Sequence, residues 1–343
     1  MKTKIEDATA FAELRVRADQ GDAKAQFNLG WMYDTGLGMA KDEVEAVKWY
    51  RKAADQGDAK AQYFLGLMYA NGRGVAKYKV EAAKWFRKAA DQGYAPAQVN
   101  LGFMYAKGEG VAKDEVEAVK WYRKAADQGN ADVQFNLGRM YQNGQGVAKD
   151  EVEAVKWYRK AADQGDANAQ YNLGNMYRTG QGVAKDEVEA VKWFRKAADQ
   201  GDAKAQFNLG GMYAYGEGVA KDEVEAVKWF RKAADQGDAE VQYNLGWMYA
   251  NGQGVAKDEV EAVKWYRKAA DQGFADAQVN LGNMYWFGNG VVKDELEAYK
   301  WFLLSGAQGN ELAKKKIPLI ELDLTAAQRA EGQRLAREWK SKK

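Results

Sequence analysis

The sequence predicts an all-α protein made of stacked helix pairs. First, glycine recurs at an unchanged spacing of 36 residues from Gly21 to Gly309, so eight full units fill residues 21–308. Second, the chain has only two prolines in 343 residues and is rich in helix-forming residues. Third, the apolar residues of each unit follow helical spacing. These observations indicate an array in which each unit buries its apolar face against its neighbours.

Each unit opens with a first helix and a glycine-rich loop. In the first unit Asp22 is positioned to cap the helix "AKAQFNLGWMYD", and Gly36-Leu37-Gly38 ends it. In later units this loop reads "NGQGVAKDE", at residues 143–151 and again at 251–259, which has the glycines and lysine of a phosphate-binding loop. It follows a helix and not a strand, and it lacks the Gly-Lys-Ser/Thr ending. We therefore interpret the loop as a turn.

A second helix completes the unit. Asp42 is expected to cap "EVEAVKWYRKAADQ", and Glu45 three residues later resembles a capping box. The predicted apolar stripe of this helix runs through Val44, Val47, Tyr50 and Ala54.

The second unit replaces the Asp-Glu pair with Tyr78-Lys79 and so lacks the cap oxygen. We expect its second helix to start less firmly, at a cost of about 1 kcal/mol, with a frayed or displaced start near Tyr78.

Incomplete units lie at both ends. Residues 1–20 match a second helix without a first one and are predicted to cap the array. Residues 309–343 form a partial repeat, which Pro318 is expected to break, followed by a C-terminal capping helix that Thr325 and Gln328 open with a capping box. The eight predicted repeats are 21–56, 57–92, 93–128, 129–164, 165–200, 201–236, 237–272 and 273–308.

Composition argues against several functions. The chain has no His and no Cys, and Ser occurs only at Ser305 and Ser341, so the usual general base, the thiol nucleophile and the Cys and His metal ligands are missing. We expect no enzyme activity, no cofactor and no metal site. Lys+Arg is 51 and Asp+Glu is 49, which gives no case for nucleic-acid binding. No segment is apolar enough for membrane insertion. We expect a monomer, cytoplasmic as written, or periplasmic or secreted if a signal peptide has been removed.

The unit resembles the Sel1-like repeat, a relative of the tetratricopeptide repeat. The likeness is carried by "AQFNLGWMY" and "GLGMAKDEVEAVKWYRKAADQG", and it recurs through residues 21–308. The C-terminal "LTAAQRAEGQRLAREW" is similar to a closing helix of bacterial members. The resemblance implies a right-handed α-solenoid that acts as an adaptor for protein partners. The absence of Cys departs from the disulfide-bridged secreted members of the family.

Comparison of the eight copies suggests a binding face. Positions equivalent to 24, 28, 31 and 35 share one side of the first helix, and most of them vary between copies, so we expect them to line the concave surface. Position 28 is nearly always Asn, and in tetratricopeptide proteins the matching Asn grips an extended backbone. The alternative is that each Asn bonds the neighbouring repeat or a loop carbonyl. The predicted partner-binding residues are Asn28, Trp31, Asn100, Phe103, Asn136, Arg139, Asn172, Asn175, Arg178, Asn208, Tyr215, Asn244, Trp247, Asn280, Asn283, Trp286 and Phe287.

Two points on this face stay open. Trp286 and Phe287 could bind a partner or pack against the C-terminal cap, and Arg139 and Arg178 could meet an acidic group. For the whole protein we predict a non-catalytic adaptor that binds a partner segment in the groove. The alternatives are an immunity or inhibitor protein that sequesters a toxin, a role that the family resemblance brings in, and a passive spacer.

Overall fold

The computed structural model describes the backbone of residues 2–341 and the side chains of residues 11–341. Every regular element in that part of the chain is an α-helix, as the sequence predicts. The helices form two compact units, Met1–Ala169 and Gln170–Lys343. Within each unit, consecutive helices pack against one another, both inside a repeat and from one repeat to the next. This succession of helix pairs is an α-solenoid arrangement.

The helices follow the repeat. The first is α1, Lys2–Asp19. The first helices of the eight repeats are α2 (Ala23–Thr35), α4 (Ala59–Asn71), α6 (Ala95–Lys107), α8 (Ala131–Asn143), α10 (Ala167–Thr179), α12 (Ala203–Tyr215), α14 (Ala239–Asn251) and α16 (Ala275–Phe287). The second helices are α3 (Glu43–Asp55), α5 (Lys79–Asp91), α7 (Glu115–Ala126), α9 (Glu151–Asp163), α11 (Glu187–Asp199), α13 (Glu223–Ala234), α15 (Glu259–Asp271) and α17 (Glu295–Ala307). The chain continues with α18 (Glu311–Ile320) and α19 (Ala326–Glu338).

Aspartate caps fix the helix starts. The Asp42 carboxylate accepts hydrogen bonds of 3.0 Å from the backbone N–H groups of Val44 and Glu45, and Asp22 caps α2 in the same way. The reciprocal half of a capping box is missing at Asp42, because the Glu45 carboxylate pairs with Lys48 instead. The caps therefore satisfy backbone donors that the first turn of a helix leaves without partners.

The second helix of repeat two lacks this cap, as predicted, because Tyr78 makes no side-chain cap hydrogen bond. The predicted displacement is wrong: α5 begins at Lys79, the residue equivalent to Glu43 of α3. Packing supplies the reason. Lys79 Nζ lies 2.8 Å from the Glu109 carboxylate of the next repeat, and Phe86 is 2% exposed. Tertiary contacts thus hold the helix start where the cap does not.

The glycine-rich loop is a turn that joins neighbouring repeats. Gly36 has a φ of 74° and donates its backbone N–H to the Met32 carbonyl at 2.9 Å, which closes α2. In the next repeat, Gly74 lies so close to the Glu43 carbonyl oxygen of α3 that a Cβ would overlap it. The loop is therefore packed against the start of the preceding second helix.

The core lies between the two helices of each repeat. Leu29 and Tyr50 are fully buried, and a Cβ on Gly30 would lie 2.8 Å from Tyr50 Cδ1, so this glycine permits the close approach of the two helices. Val44 was expected in the buried stripe, but it is 53% exposed. Successive residues of a helix are about 100° apart around its axis. Val44 therefore lies outside the arc of buried residues, whose edge is at Val47.

Buried glutamines connect consecutive helices, a feature that the sequence analysis missed. The Gln134 side chain donates to the Ala126 carbonyl at the end of the preceding second helix, at 2.9 Å. It also accepts from Gln164 Nε2 at 2.7 Å. Gln134 is 4% exposed, so both hydrogen bonds are sheltered from water. The same arrangement recurs at Gln26, Gln62, Gln98, Gln206, Gln242 and Gln278.

The C-terminal segment differs from the prediction at one point. Pro318 was expected to break the ninth first helix, but it lies inside α18, which continues to Ile320. Because only two residues of α18 follow Pro318, the missing N–H disturbs just the end of the helix. The predicted capping box of α19 is confirmed: Gln328 N–H donates to Thr325 Oγ1, and Thr325 N–H donates to Gln328 Oε1.

Helix α19 packs back against the last repeat. Gly332 faces the ring of Tyr299 on α17, and the rings of Trp301 and Trp339 are 6.2 Å apart in an edge-to-face arrangement. Tyr299 and Trp301 are almost fully buried as a result.

Candidate protein-binding surface

The residues predicted to bind a partner lie at positions equivalent to 28, 31, 34 and 35 of the first helices, and we call these positions the first-helix surface. Each of the two units carries such positions. Several large aromatic side chains here are exposed instead of buried: Trp31 by 39%, Trp247 by 44%, Phe103 by 45%, Phe287 by 61% and Tyr215 by 79%. Exposed rings of this kind are typical anchors of protein interfaces.

Two of the asparagines at the position equivalent to 28 lie beside tyrosines of the preceding repeat. Asn100 lies near the hydroxyl of Tyr63 in the preceding repeat. Burial raises the pKa of Tyr63, and the nearby Asn100 amide partly offsets the rise. Asn280 lies near the hydroxyls of Tyr243 and Tyr266 in its preceding repeat. Burial raises the pKa of each tyrosine, and the nearby Asn280 amide partly offsets the rise. At these two positions the side chain contributes to contact between repeats.

Other asparagines at the same position are free to bind. Asn28 and Asn136 are exposed, and Asn172, Asn208 and Asn244 are half-buried. None of these five side chains makes a hydrogen bond to another described residue. An amide can donate and accept at once, so each could pair with a peptide backbone. The asparagines at this position are therefore of two kinds: some interact with neighbouring repeats, and others have no hydrogen-bond partner.

The Gln170–Lys343 unit contains a pocket of about 330 Å³ on this surface. Five predicted residues line it together: Arg178, Asn208, Tyr215, Asn244 and Trp247. Phe207, Gly211, Phe230 and Glu217, which the sequence analysis did not single out, complete much of its wall. The one sign of this pocket in the sequence is that repeat six has Gly211 at the position where Trp31 and Trp247 stand in other repeats.

Arg178 is incompletely paired in this pocket. Its Nη2 donates to Asn175 Oδ1 at 3.3 Å, while Asn175 itself donates back to the Tyr171 carbonyl at 3.3 Å. The Arg178 Nε is buried and has no hydrogen-bond partner, and no described carboxylate forms an ion pair with this guanidinium. A buried donor without a partner is costly, so Arg178 is available to donate to an additional anionic or carbonyl group.

The Met1–Ala169 unit carries two further hollows. One, of about 370 Å³, is lined by Asn136 and Arg139 together with Tyr122. The exposed Arg139 guanidinium lies 5.9 Å from the centre of the Phe135 ring. The other, of about 270 Å³, is lined by residues that include Asn100 and Phe103. Four of the six predicted residues of this unit thus line two separate hollows, and Asn28 and Trp31 line neither.

The last predicted residues lie beside the C-terminal segment. Trp286 is half-buried and donates its indole N–H to Asp323 at 3.1 Å, so it makes the contact with the cap that the sequence left as one alternative. Phe287 stacks on Trp286 with ring centres 5.3 Å apart and keeps most of its surface in solvent. Asn283 is half-buried, and its Oδ1 has no hydrogen-bond partner.

No group of three or more metal-ligating side chains comes together among the described residues. Within that same part of the chain, no helix combines the length and the apolar character that crossing a bilayer requires.

The repeat is recognised by a family model. The Sel1 repeat model matches the chain eight times in succession, at residues 23–58, 59–94, 95–130, 131–166, 167–202, 203–238, 239–274 and 275–310. The chain belongs to the Sel1 repeat family. The matched units start two residues after those defined by the glycine spacing. Sel1 repeat proteins generally mediate protein–protein interaction.

Solved structures agree with this membership. A Sel1 repeat protein from Oxalobacter formigenes is 36% identical, with 90% of this chain and 89% of that chain covered and a TM-score of 0.72. The protein c5321, a protective antigen present in uropathogenic Escherichia coli strains, displays an SLR fold and is 32% identical, with 96% and 94% covered and a TM-score of 0.58. The immunity protein Pa5087 from Pseudomonas aeruginosa is 25% identical over 62% of this chain and 80% of its own, and its TM-score of 0.34 supports no functional comparison. The comparison with curated proteins gives no match.

Proposed function

We propose that this Sel1 repeat protein is a non-catalytic adaptor that binds a segment of a partner protein along the first-helix surface. The observation that carries the proposal is the combination, on one face of the first helices, of exposed aromatic rings with unpaired asparagine amides. Family membership supports a protein as the partner. The absence of His and Cys from the sequence favours binding over catalysis.

The two kinds of side chain have different tasks. Unpaired amides such as Asn136 and Asn244 can donate to a carbonyl and accept from an N–H, so they hold an extended backbone whatever its sequence. Trp31, Phe103 and Trp247 can bury side chains of the segment and so select among sequences. Affinity would come from a few such anchors and not from the whole contact area.

A capture experiment tests the proposal. The native chain is compared with a variant that carries Trp31→Ala, Asn136→Ala, Asn172→Ala and Trp247→Ala, and partners are captured from the source organism by cross-linking and quantified. The matched control carries Val44→Ala, Val116→Ala, Val188→Ala and Val260→Ala, which removes apolar groups that are 52–56% exposed on second helices.

We expect a partner to be captured by the native chain and by the control, with at least a tenfold loss for the first-helix variant. Equal capture by all three chains would move the binding site to another face. Capture by none of them would favour the passive spacer. Helical circular dichroism of the three chains confirms that each is folded.

A further inference from the structure

The pocket of the Gln170–Lys343 unit exists because one side chain is missing. Position 31 carries a side chain in the other repeats, for example Trp31, Phe103 and Trp247, but repeat six has Gly211 there. A Cβ built on Gly211 meets no atom within 4 Å. The glycine is therefore not needed for helix packing, and the space in front of it is open to a side chain from outside the repeat.

The pocket has the size and lining for a large apolar group. Its volume of about 330 Å³ is roughly twice that of the ~150 Å³ cavity known to hold a benzene molecule. Phe207, Phe230 and Met248 contribute apolar walls, and the exposed Trp247 stands at its edge. Aromatic side chains bury large areas and pack favourably against other rings, so an aromatic ring is the occupant that this lining fits.

The charges at the pocket favour an acidic neighbour for that ring. Arg178 has a buried Nε without a partner and no ion pair to a described carboxylate. Glu217 also lines the pocket, but its carboxylate forms no ion pair with the Arg178 guanidinium, whose side-chain partner is Asn175. The positive charge of Arg178 therefore has no carboxylate partner in this pocket. A guanidinium binds a carboxylate through more than one N–H and gains more from it than from a neutral acceptor.

On the basis of the proposed function, we infer that the Gly211 pocket receives an aromatic side chain of the partner segment whose neighbouring Asp or Glu pairs with Arg178. Neighbouring here means within three residues, since an extended chain advances about 3.3–3.6 Å per residue. The pocket then determines which segment the adaptor selects, while the unpaired asparagines hold its backbone.

Peptide display tests this inference. A random library of twelve-residue peptides is selected on the native full-length chain, and the enriched peptides are then measured by fluorescence anisotropy. Gly211→Trp places in repeat six the residue found at Trp31 and Trp247, and so fills the pocket. Gly211→Ala is its matched control, because it adds one methyl group and leaves most of the space open. Arg178→Gln removes the charge alone.

We expect enriched peptides to combine an aromatic residue with Asp or Glu within three positions. Gly211→Trp should weaken their binding at least tenfold, and Gly211→Ala less than threefold. Arg178→Gln should weaken binding about tenfold for the acidic peptide and have little effect on the same peptide carrying Asn or Gln in place of the acid. This double-mutant cycle separates the ion pair from general effects on the fold.

Three results would overturn the inference. Selected peptides that bind Gly211→Trp as well as the native chain would exclude the pocket, while the proposed function would stand if the four-residue first-helix variant still lost them. Enrichment of basic instead of acidic neighbours would exclude the role of Arg178. No enrichment at all would remove the inference and leave the capture experiment to decide the proposed function. Light scattering of the native chain checks for another occupant: a dimer that Gly211→Trp abolishes would identify a second copy of this chain.

Discussion

Two glycines in helix interiors should respond to the same substitution in opposite ways. Gly211 in α12 has open space where a Cβ would be. At Gly282 in α16, an added Cβ would lie 2.6 Å from Cε1 and 2.8 Å from Cδ1 of Phe302. Phe302 is fully buried, so its ring cannot move into solvent to make room. We therefore predict that Gly211→Ala stabilises the protein and that Gly282→Ala destabilises it.

The magnitudes follow from two effects. Replacing glycine by alanine inside a helix stabilises by about 0.5–1 kcal/mol, and this gain applies at both positions. Overpacking of a filled core costs about 1–3 kcal/mol, and this cost applies only at Gly282. The expected net effect is a gain of about 0.5–1 kcal/mol for Gly211→Ala and a loss of about 0.5–2 kcal/mol for Gly282→Ala.

Thermal unfolding followed by circular dichroism provides the assay. At about 2–4 °C per kcal/mol, the melting temperature should rise by about 1–4 °C for Gly211→Ala and fall by about 1–8 °C for Gly282→Ala. The two sites lie in the same unit. If both variants shifted in the same direction by the same amount, the close helix approach would not limit the side chain at Gly282, and the reasoning would be refuted.

Three further predictions concern stability. Gln134→Ala should reduce the free energy of unfolding by about 1–3 kcal/mol, because it leaves buried hydrogen-bonding groups unpaired, whereas the exposed Gln145→Ala should change it little; urea denaturation compares them. Tyr78→Asp should restore a cap and raise the free energy of unfolding by about 1 kcal/mol. An unchanged urea midpoint would contradict this prediction. Lys41 and Arg73 lower the pKa of Glu43 below its ordinary 4.5, so its contribution is present above pH 4.5 and lost as the pH falls through the lowered value. Arg73→Gln should flatten that acid loss of stability, and an unaltered pH profile would exclude this ion pair as a cause.

Much of the fold could be predicted because the repeat shows the same pattern eight times. The glycine spacing, the Asp42 cap and the close approach at Gly30 are local features, and each depends on residues near in sequence. Val44 and Pro318 were predicted wrongly for two different reasons. The buried arc of α3 is set by its neighbours, and the end of α18 leaves little helix for a proline to disturb.

The candidate surface was harder to predict because its chemistry depends on neighbouring repeats. The sequence could not distinguish Asn100, which meets the Tyr63 hydroxyl, from Asn136, which has no hydrogen-bond partner among the described residues. The sequence shows that every repeat has a glutamine at the position equivalent to 26. These glutamines donate to backbone carbonyls, which the sequence does not identify as partners. The Gly211 pocket arises from a missing side chain, and its lining residues come from four different helices, α10, α12, α13 and α14.

The glutamine connections have a consequence for how the array can change in length. Gln98 donates to the Ala90 carbonyl, and Gln134 donates to the equivalent carbonyl of Ala126 one repeat later. If residues 93–128 were excised, Gln134 would meet the Ala90 carbonyl and the buried hydrogen bonds would close again. A whole repeat can therefore be gained or lost by recombination without leaving a buried polar group unsatisfied. The groups that hold the array together thus also allow it to evolve in whole repeats, and each exchange alters the binding surface while the junctions stay the same.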